Sequence, residues 1–164
     1  MPRVHVQILD EALEPNAWMN EVTPPDDTGA IATFTGICRS EGGRLSALEL
    51  EHYPGMAEAE ITRIAEAATE RWPLIGILCV HRTGIVAAGE PIVFVAAGSA
   101  HRDAAFDAVR YLMDFLKTEA PFWKREHLAD GTLGPWVDAK DSDDRAREKW
   151  AAVTATTPAA TPGA

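Results

Sequence analysis

Residues 56–72, Met-Ala-Glu-Ala-Glu-Ile-Thr-Arg-Ile-Ala-Glu-Ala-Ala-Thr-Glu-Arg-Trp, decide the fold class of this chain. Apolar side chains recur there at three- and four-residue spacing, at Ala57, Ile61, Ile64, Ala65, Ala68 and Trp72. This spacing places them on one face of an α-helix, and the prolines at 54 and 73 bound the segment. The stretch therefore predicts an amphipathic helix that packs on a core.

Short runs with strand-like patterns lie on both sides of this helix. The first run alternates valine and isoleucine with polar residues, and the later ones are β-rich or continuously apolar, as strands are when half or fully buried. The predicted strands cover residues 4–9, 30–35, 45–52, 75–81 and 92–97. The segment 83–90 that joins the last two contains two glycines and predicts a turn.

A second amphipathic helix is predicted after the last of these strands. Ser99 can cap its start, and Pro121 prevents it from continuing much past Thr118, so Lys117 falls in its last turn. Its apolar stripe is Ala105, Phe106, Val109, Leu112, Met113 and Leu116. Strands grouped around two principal amphipathic helices predict an α+β fold with mainly antiparallel pairing.

The length of 164 residues and the hydrophobic content of 46% suit one domain with a sizeable core. We expect this domain to span residues 1–150, with a short third helix from Ser142 to about residue 150. Residues 154–164 carry no large apolar side chain, so we expect a disordered tail over residues 151–164.

The chain is acidic, with 15 basic and 25 acidic side chains and a net charge of -10. Such a charge repels polyphosphate and argues against a nucleic-acid partner. The sequence lacks a long apolar run and a signal-peptide pattern, so we expect no membrane partner and a cytoplasmic location. Cys38 and Cys79 lie far apart and the histidines show no ligand spacing, so neither a disulfide nor a metal site is expected. The usual nucleotide and dinucleotide motifs are also missing, so no cofactor is expected.

Residues 117–126, Lys-Thr-Glu-Ala-Pro-Phe-Trp-Lys-Arg-Glu, place cations on both sides of an Ala-Pro-Phe-Trp turn. The chain has eleven arginines and only four lysines, so a lysine at each end of this turn is a compositional exception. Because lysine can release a proton near neutrality and arginine cannot, the stretch indicates a site that handles anions. A turn could bring Lys124 back toward Lys117, but a lysine at a helix end followed by a surface turn explains the same pattern.

Other cations stand where they could join such a site. His101 and Arg102 come at the start of the second helix, where unpaired N–H groups bind phosphate or carboxylate oxygens; two solvent-facing residues are the alternative. Arg39 follows a β-rich run and precedes a glycine pair, so it could overhang a cleft. Cys38 beside it is either a thiolate that forms a persulfide or a small, partly buried residue.

Four motifs, in this order, resemble the large, catalytic subunit of molybdopterin synthase. They are Phe-Thr-Gly-Ile-Cys-Arg at 34–39, Leu-Glu-Leu-Glu-His-Tyr-Pro-Gly-Met at 48–56, Ser-Ala-His-Arg at 99–102 and the stretch 117–126. The resemblance runs from about residue 30 to residue 144, and its most specific strings are Tyr-Pro-Gly-Met and Ala-Pro-Phe-Trp-Lys-Arg-Glu. By this resemblance the chain is identified as a member of that family.

The resemblance implies a fold of the α/β-hammerhead type and a homodimer flanked by two copies of a small ubiquitin-like subunit, which together form a heterotetramer. The small partner would carry sulfur as a C-terminal Gly-Gly thiocarboxylate. Since this sequence ends Thr-Pro-Gly-Ala, we expect the carrier to be a separate protein. The implied activity is that of a sulfurtransferase of molybdenum cofactor biosynthesis, which converts cyclic pyranopterin monophosphate into the dithiolene of molybdopterin.

The resemblance also implies a role for each cation. Lys117 would be the catalytic lysine that stabilises or protonates intermediates, and Lys124 would support it. The other implied site residues are Arg39, His101 and Arg102, which would hold anionic groups of the pterin, and Arg125 and Glu126, which would line or orient the site.

One position departs from the family pattern. Similar proteins place an arginine in the segment 136–140, where it reaches the neighbouring subunit's site, and here that position is Lys140. A lysine keeps the charge but lacks the bidentate fork that suits phosphate. Two rival functions remain open: a non-catalytic module that docks the acidic tail of a ubiquitin-like protein, and a persulfide sulfurtransferase that uses Cys38.

Overall fold

The computed structural model describes residues 1–19 and 26–137 of the chain. The strands in these ranges are β1 Arg3–Leu9, β2 Ala30–Ile37, β3 Leu45–His52, β4 Leu74–Arg82, β5 Gly84–Ala87, β6 Pro91–Ser99 and β7 Phe122–Leu128. The helices are α1 Pro15–Met19, α2 Met56–Arg71 and α3 Arg102–Leu116. The predicted α+β class with two principal helices is confirmed.

The described strands form two sheets, and their order explains how distant segments meet. A four-stranded sheet has the order β1-β4-β6-β2, and a three-stranded sheet has the order β5-β3-β7. Only the β1 and β4 pair is parallel among the described strands; the other pairs are antiparallel, as predicted. From β2 onward, each strand along the chain lies in the other sheet from the strand before it. Several strand ends therefore border the cleft between the two sheets.

The main core lies between the four-stranded sheet and the two long helices. The helix α2 buries Ala57, Ile61, Ile64, Ala65 and Ala68, which are the residues that its period predicted. The helix α3 buries Ala105, Ala108, Val109, Tyr111, Leu112 and Leu116, against strand residues such as Cys79 and Val95. Phe106 was predicted in this stripe but is 63% exposed, because it lies about 100° around the helix from Ala105.

Two local predictions were wrong, and one strand was not predicted. The segment 83–90 contains the strand β5 as well as a turn, and residues 122–128 form the strand β7, for which no strand was predicted. Both strands pair with β3, a long-range partner that local sequence patterns do not reveal. Ser99 was predicted to cap α3, but the N-cap residue of this helix is His101. Ser99 instead ends β6, and its hydroxyl donates to the carbonyl of His101.

The predicted third helix, the domain boundary at residue 150 and the predicted tail lie outside the described residues. None of the helices within residues 1–19 and 26–137 combines the length and the hydropathy that a membrane span requires.

Candidate active site

A cavity of about 300 Å³ opens where the two sheets and the C-terminal end of α3 meet. Lys117 and Lys124 both line it, and we call it the lysine cavity. Its other lining residues are Phe34, Thr35, Gly36, Ile37, Leu48, Leu50, His81, Ile92, Val93, Met113, Leu116, Ala120 and Phe122. The structure therefore brings together the two lysines that the sequence left at opposite ends of a turn.

Lys117 directly follows the last residue of α3 and lines the cavity from there. Its backbone N–H still donates to the carbonyl of Met113, as in a helix, while Pro121 lies four residues further on and has no N–H to continue the ladder. The turn that follows is tied to α2 because Arg63 donates to Glu119 at 2.7 Å. The position of Lys117 is thus fixed by the helix before it and by an ion pair after it.

Lys124 reaches the same cavity from the strand β7. Its neighbour on one side is Leu50 in β3, and on the other side its backbone exchanges two hydrogen bonds with Val137, at 3.0 and 2.8 Å. Side chains alternate between the two faces of a strand, so Lys124 and Phe122 point to the same face and Arg125 to the other. Backbone pairing on both sides therefore holds this lysine toward the cavity.

The walls of the lysine cavity are formed mostly by apolar side chains. Among them, Leu50, Leu116 and Phe122 are buried. The ammonium groups of the two lysines attract an anionic ligand. In a chain of net charge -10, this is a place where an anionic ligand meets positive charge at close range.

His81, at the end of β4, contributes a buried imidazole to the cavity wall. Its ring stacks on Phe122, with 4.1 Å between the ring centroids and 14° between the planes. Its Nδ1 lies 2.9 Å from the carbonyl oxygen of Arg82. Burial, together with the positive charges of Lys124 and His52, lowers the pKa of His81 to about 4. The imidazole is therefore neutral at pH 7.

A family model described as "MoaE protein" matches residues 8–119 of this chain. The chain belongs to the MoaE protein family. Among its relatives, the molybdopterin synthase catalytic subunit of Brucella melitensis biotype 1 is 61% identical over 124 residues, which cover 76% of each chain. The molybdopterin synthase catalytic subunit of Rhizobium meliloti is 55% identical over 148 residues, 90% of this chain and 94% of that one.

Solved structures agree with this assignment. The molybdopterin biosynthesis MoaE protein from Burkholderia ambifaria superposes with a TM-score of 0.75 at 40% identity, over 92% of this chain and 99% of that one. The predicted family, its fold class and the activity of a molybdopterin synthase catalytic subunit, a sulfur-transferring enzyme of molybdenum cofactor biosynthesis, are confirmed.

Two of the cations predicted at the MoaE site lie far from the lysine cavity within one chain. His101 and Arg102 stand at the start of α3, and Lys117 follows its end. A rise of 1.5 Å per residue separates the two ends of this helix by about 22 Å. Both side chains are exposed, and Arg102 has Asp103 at 4.0 Å. Their role as ligands of the pterin stays a prediction, and it requires a second copy of the chain.

Arg39 lies beside the cavity without lining it. It comes two residues after Ile37, which does line the cavity, and the buried Cys38 anchors the chain between them. The Arg39 side chain is 83% exposed, with Glu41 at 4.0 Å. The role of Arg39 as a ligand of the pterin stays a prediction.

Arg125 and Glu126 are engaged in ion pairs beside the cavity. Arg125 points to the other face of the three-stranded sheet, where it donates to Glu49 and lies 4.6 Å from the ring centre of Trp136. Glu126 accepts from Arg44 at 2.6 Å. Neither lines the lysine cavity within one chain, and their predicted roles at the site stay predictions. Lys140 lies outside the described residues.

Cys38 is 1% exposed, and burial raises the pKa of its thiol. A buried thiol with a raised pKa is a poor nucleophile, which argues against the persulfide alternative. Cys79 is buried too, inside the core.

His81 is the residue of this cavity that the sequence analysis did not select. The signal was present, since His81 is the first titratable residue after the apolar run from Leu74 to Val80. The run itself predicted a strand, but the sequence could not indicate that the end of this strand borders the two lysines.

Proposed function

We propose that the lysine cavity is where sulfur passes from a thiocarboxylated partner protein to cyclic pyranopterin monophosphate, with this chain as the catalytic subunit. The observation that carries the proposal is that Lys117 and Lys124, from separate elements, line one largely apolar cavity. The donor ends in an anionic thioacid and the substrate carries a phosphate, so both reactants bring negative charge to this place.

The chemistry required of the cavity is stabilisation of moving negative charge. In each transfer the thiocarboxylate sulfur bonds to a side-chain carbon of the pterin, and an oxygen substituent leaves that carbon. Water then cleaves the donor's carbon–sulfur bond, which leaves the sulfur on the pterin and a carboxylate on the donor. Charge builds on oxygen and sulfur atoms during each transfer, and a preorganised ammonium group stabilises such charge. We assign this role to Lys117 and a supporting role to Lys124.

The partner in this proposal is a small ubiquitin-like protein with a C-terminal Gly-Gly thiocarboxylate. A Gly-Gly end is slender, and a cavity of about 300 Å³ that opens at the meeting point of two sheets suits an extended tail of this kind better than a folded surface. Two copies of this chain and two of the partner would form a heterotetramer in the cytoplasm, and Arg39, His101, Arg102 and Lys140 would hold the pterin across the dimer.

The direct test combines the purified full chain with a thiocarboxylated ubiquitin-like partner and cyclic pyranopterin monophosphate. We expect dithiolene formation together with conversion of the partner's thiocarboxylate into a carboxylate, which mass spectrometry detects. Co-purification of the chain with a small protein that ends in Gly-Gly is the supporting observation. If the complex forms but no dithiolene appears, the proposed catalytic role is wrong.

The alternative of a non-catalytic docking module makes a different prediction. A module that merely docks an acidic tail would not bind the pterin in the absence of the partner. Titration of the isolated chain with cyclic pyranopterin monophosphate separates the two, since our proposal expects saturable binding and the docking alternative expects none.

A further inference from the structure

The imidazole of His81 has one nitrogen occupied and one available. The Nδ1 atom lies 2.9 Å from the carbonyl oxygen of Arg82, and because a carbonyl only accepts, Nδ1 must be the protonated, donating nitrogen. In a neutral ring the other nitrogen, Nε2, then carries a lone pair and can only accept. The main chain has thereby selected the tautomer of this residue.

The available nitrogen reaches the lysine cavity. Within residues 1–19 and 26–137, Nε2 of His81 has no hydrogen-bond partner in the chain. The fully buried side-chain atoms that lack a partner in these ranges are Thr28 Oγ1 and Arg82 Nε, and Nε2 of His81 is not among them. Nε2 therefore keeps some accessible surface, although the residue as a whole is only 8% exposed. The space that His81 borders is the lysine cavity.

The ring is also held rigidly. It stacks on Phe122 at 4.1 Å and 14°, and it is packed at the end of the central strand β4 between β1 and β6. A hydrogen-bonding group whose orientation is fixed before the ligand arrives loses little entropy on binding. Nε2 of His81 can accept a hydrogen bond, and Lys117 and Lys124 in the same cavity can bind anions. Together they are complementary to a ligand that carries both N–H groups and anionic groups.

We infer that Nε2 of His81 accepts a hydrogen bond from an N–H group of the pterin bound in the lysine cavity. The inference rests on the proposed function, because it takes the pterin as the ligand. The two lysines supply donors for the phosphate and for developing anions, and His81 supplies an acceptor for the ring system. His81 is in this sense a substrate-contacting residue that selects a ligand with N–H donors over an anion such as inorganic phosphate.

Two substitutions separate this role from a structural one. In His81→Asn the side-chain amide can keep the donor to the Arg82 carbonyl but has no acceptor at the Nε2 position, whereas His81→Gln can place an acceptor there. We expect His81→Asn to weaken pterin binding about tenfold, and His81→Gln to stay within about threefold of the wild type. Binding of inorganic phosphate should change in neither variant. His5→Asn, on the outer strand β1, is the matched control.

Nuclear magnetic resonance of the unsubstituted chain labelled with nitrogen-15 in histidine tests the contact without risk to folding. On addition of cyclic pyranopterin monophosphate, the Nε2 resonance of His81 should shift while its Nδ1 resonance stays in place. An unmoved Nε2 resonance, or equal pterin binding by His81→Asn and wild type, overturns the inference and leaves the proposed function intact. If the wild type itself does not bind the pterin, the proposed function fails and the His81 inference falls with it.

Discussion

Lys117, which directly follows the helix α3, and Lys124, which lies in the strand β7, face one cavity although they are seven positions apart in the chain and a proline-containing turn lies between them. The turn is held by the ion pair of Arg63 with Glu119, and the strand is held by pairing with Leu50. The positive charge of the site is therefore built by the rigid elements on either side of the turn.

Lys117→Ala should nearly stop dithiolene formation while leaving the fold intact. Loss of one preorganised charge at a site of developing negative charge typically lowers kcat by about 10²- to 10³-fold. The exposed side chain of Lys117 contributes little to packing, so the thermal unfolding midpoint should stay near that of the wild type. Single-turnover assays with thiocarboxylated partner measure the effect. Arg110→Ala, on an exposed position of α3, is the control, and normal turnover by the Lys117 variant would refute its assigned role.

Lys124→Ala should slow turnover less than Lys117→Ala, and it should also raise the pKa of His81. The positive charge of Lys124 is one of the causes that lower this pKa, so its removal makes protonation of the imidazole easier. A histidine titration followed by nuclear magnetic resonance measures the shift. An unchanged His81 titration together with wild-type activity would remove Lys124 from the site.

The stability of the protein should fall between pH 6.5 and pH 4 because His81 is buried in its neutral form. Its pKa is lowered from 6.5 to about 4, so in this window the unfolded chain binds the proton and the folded chain does not. Stability is then complete above pH 6.5 and declines as the pH falls, by up to about 3 kcal/mol near pH 4.

Urea unfolding at several pH values measures this contribution. His81→Gln does not titrate, so its free energy of unfolding should vary less than that of the wild type across the same window. The decline that remains comes from carboxylates such as Glu49 and Glu90, whose pKa values are lowered by hydrogen bonds from Arg125 and Arg82, respectively. Parallel curves for the wild type and the variant would show that His81 is not a buried neutral histidine.

Cys38→Ser should retain sulfur transfer and lose some stability. The thiol is 1% exposed, and a hydroxyl in its place must be desolvated, which typically costs about 1–3 kcal/mol. Turnover measured below the unfolding temperature should match that of the wild type. A complete loss of activity in a folded Cys38→Ser variant would favour a persulfide mechanism over the proposed one.

The sequence was informative where the interactions are local. The period of Ala57, Ile61 and Ile64 predicted the face that α2 buries, since residues three and four apart share one side of a helix. It was uninformative where pairing is distant. The segment β7 has a mixed polar sequence and becomes a strand because β3, at least 70 residues earlier in the chain, supplies its hydrogen bonds. The same limit hid His81, whose position in the cavity depends on Phe122 from that strand.

By itself, the sequence determined the family, the α+β class and the choice of Lys117 and Lys124 as candidate residues, because residue types and motif order are properties of the chain alone. Only the tertiary structure decided that these two lysines share a cavity, that His81 joins them, and that His101 and Arg102 stand at the opposite end of α3. The physical reason is that a site is defined by distances between side chains, and these distances follow from how the two sheets and α3 pack against one another.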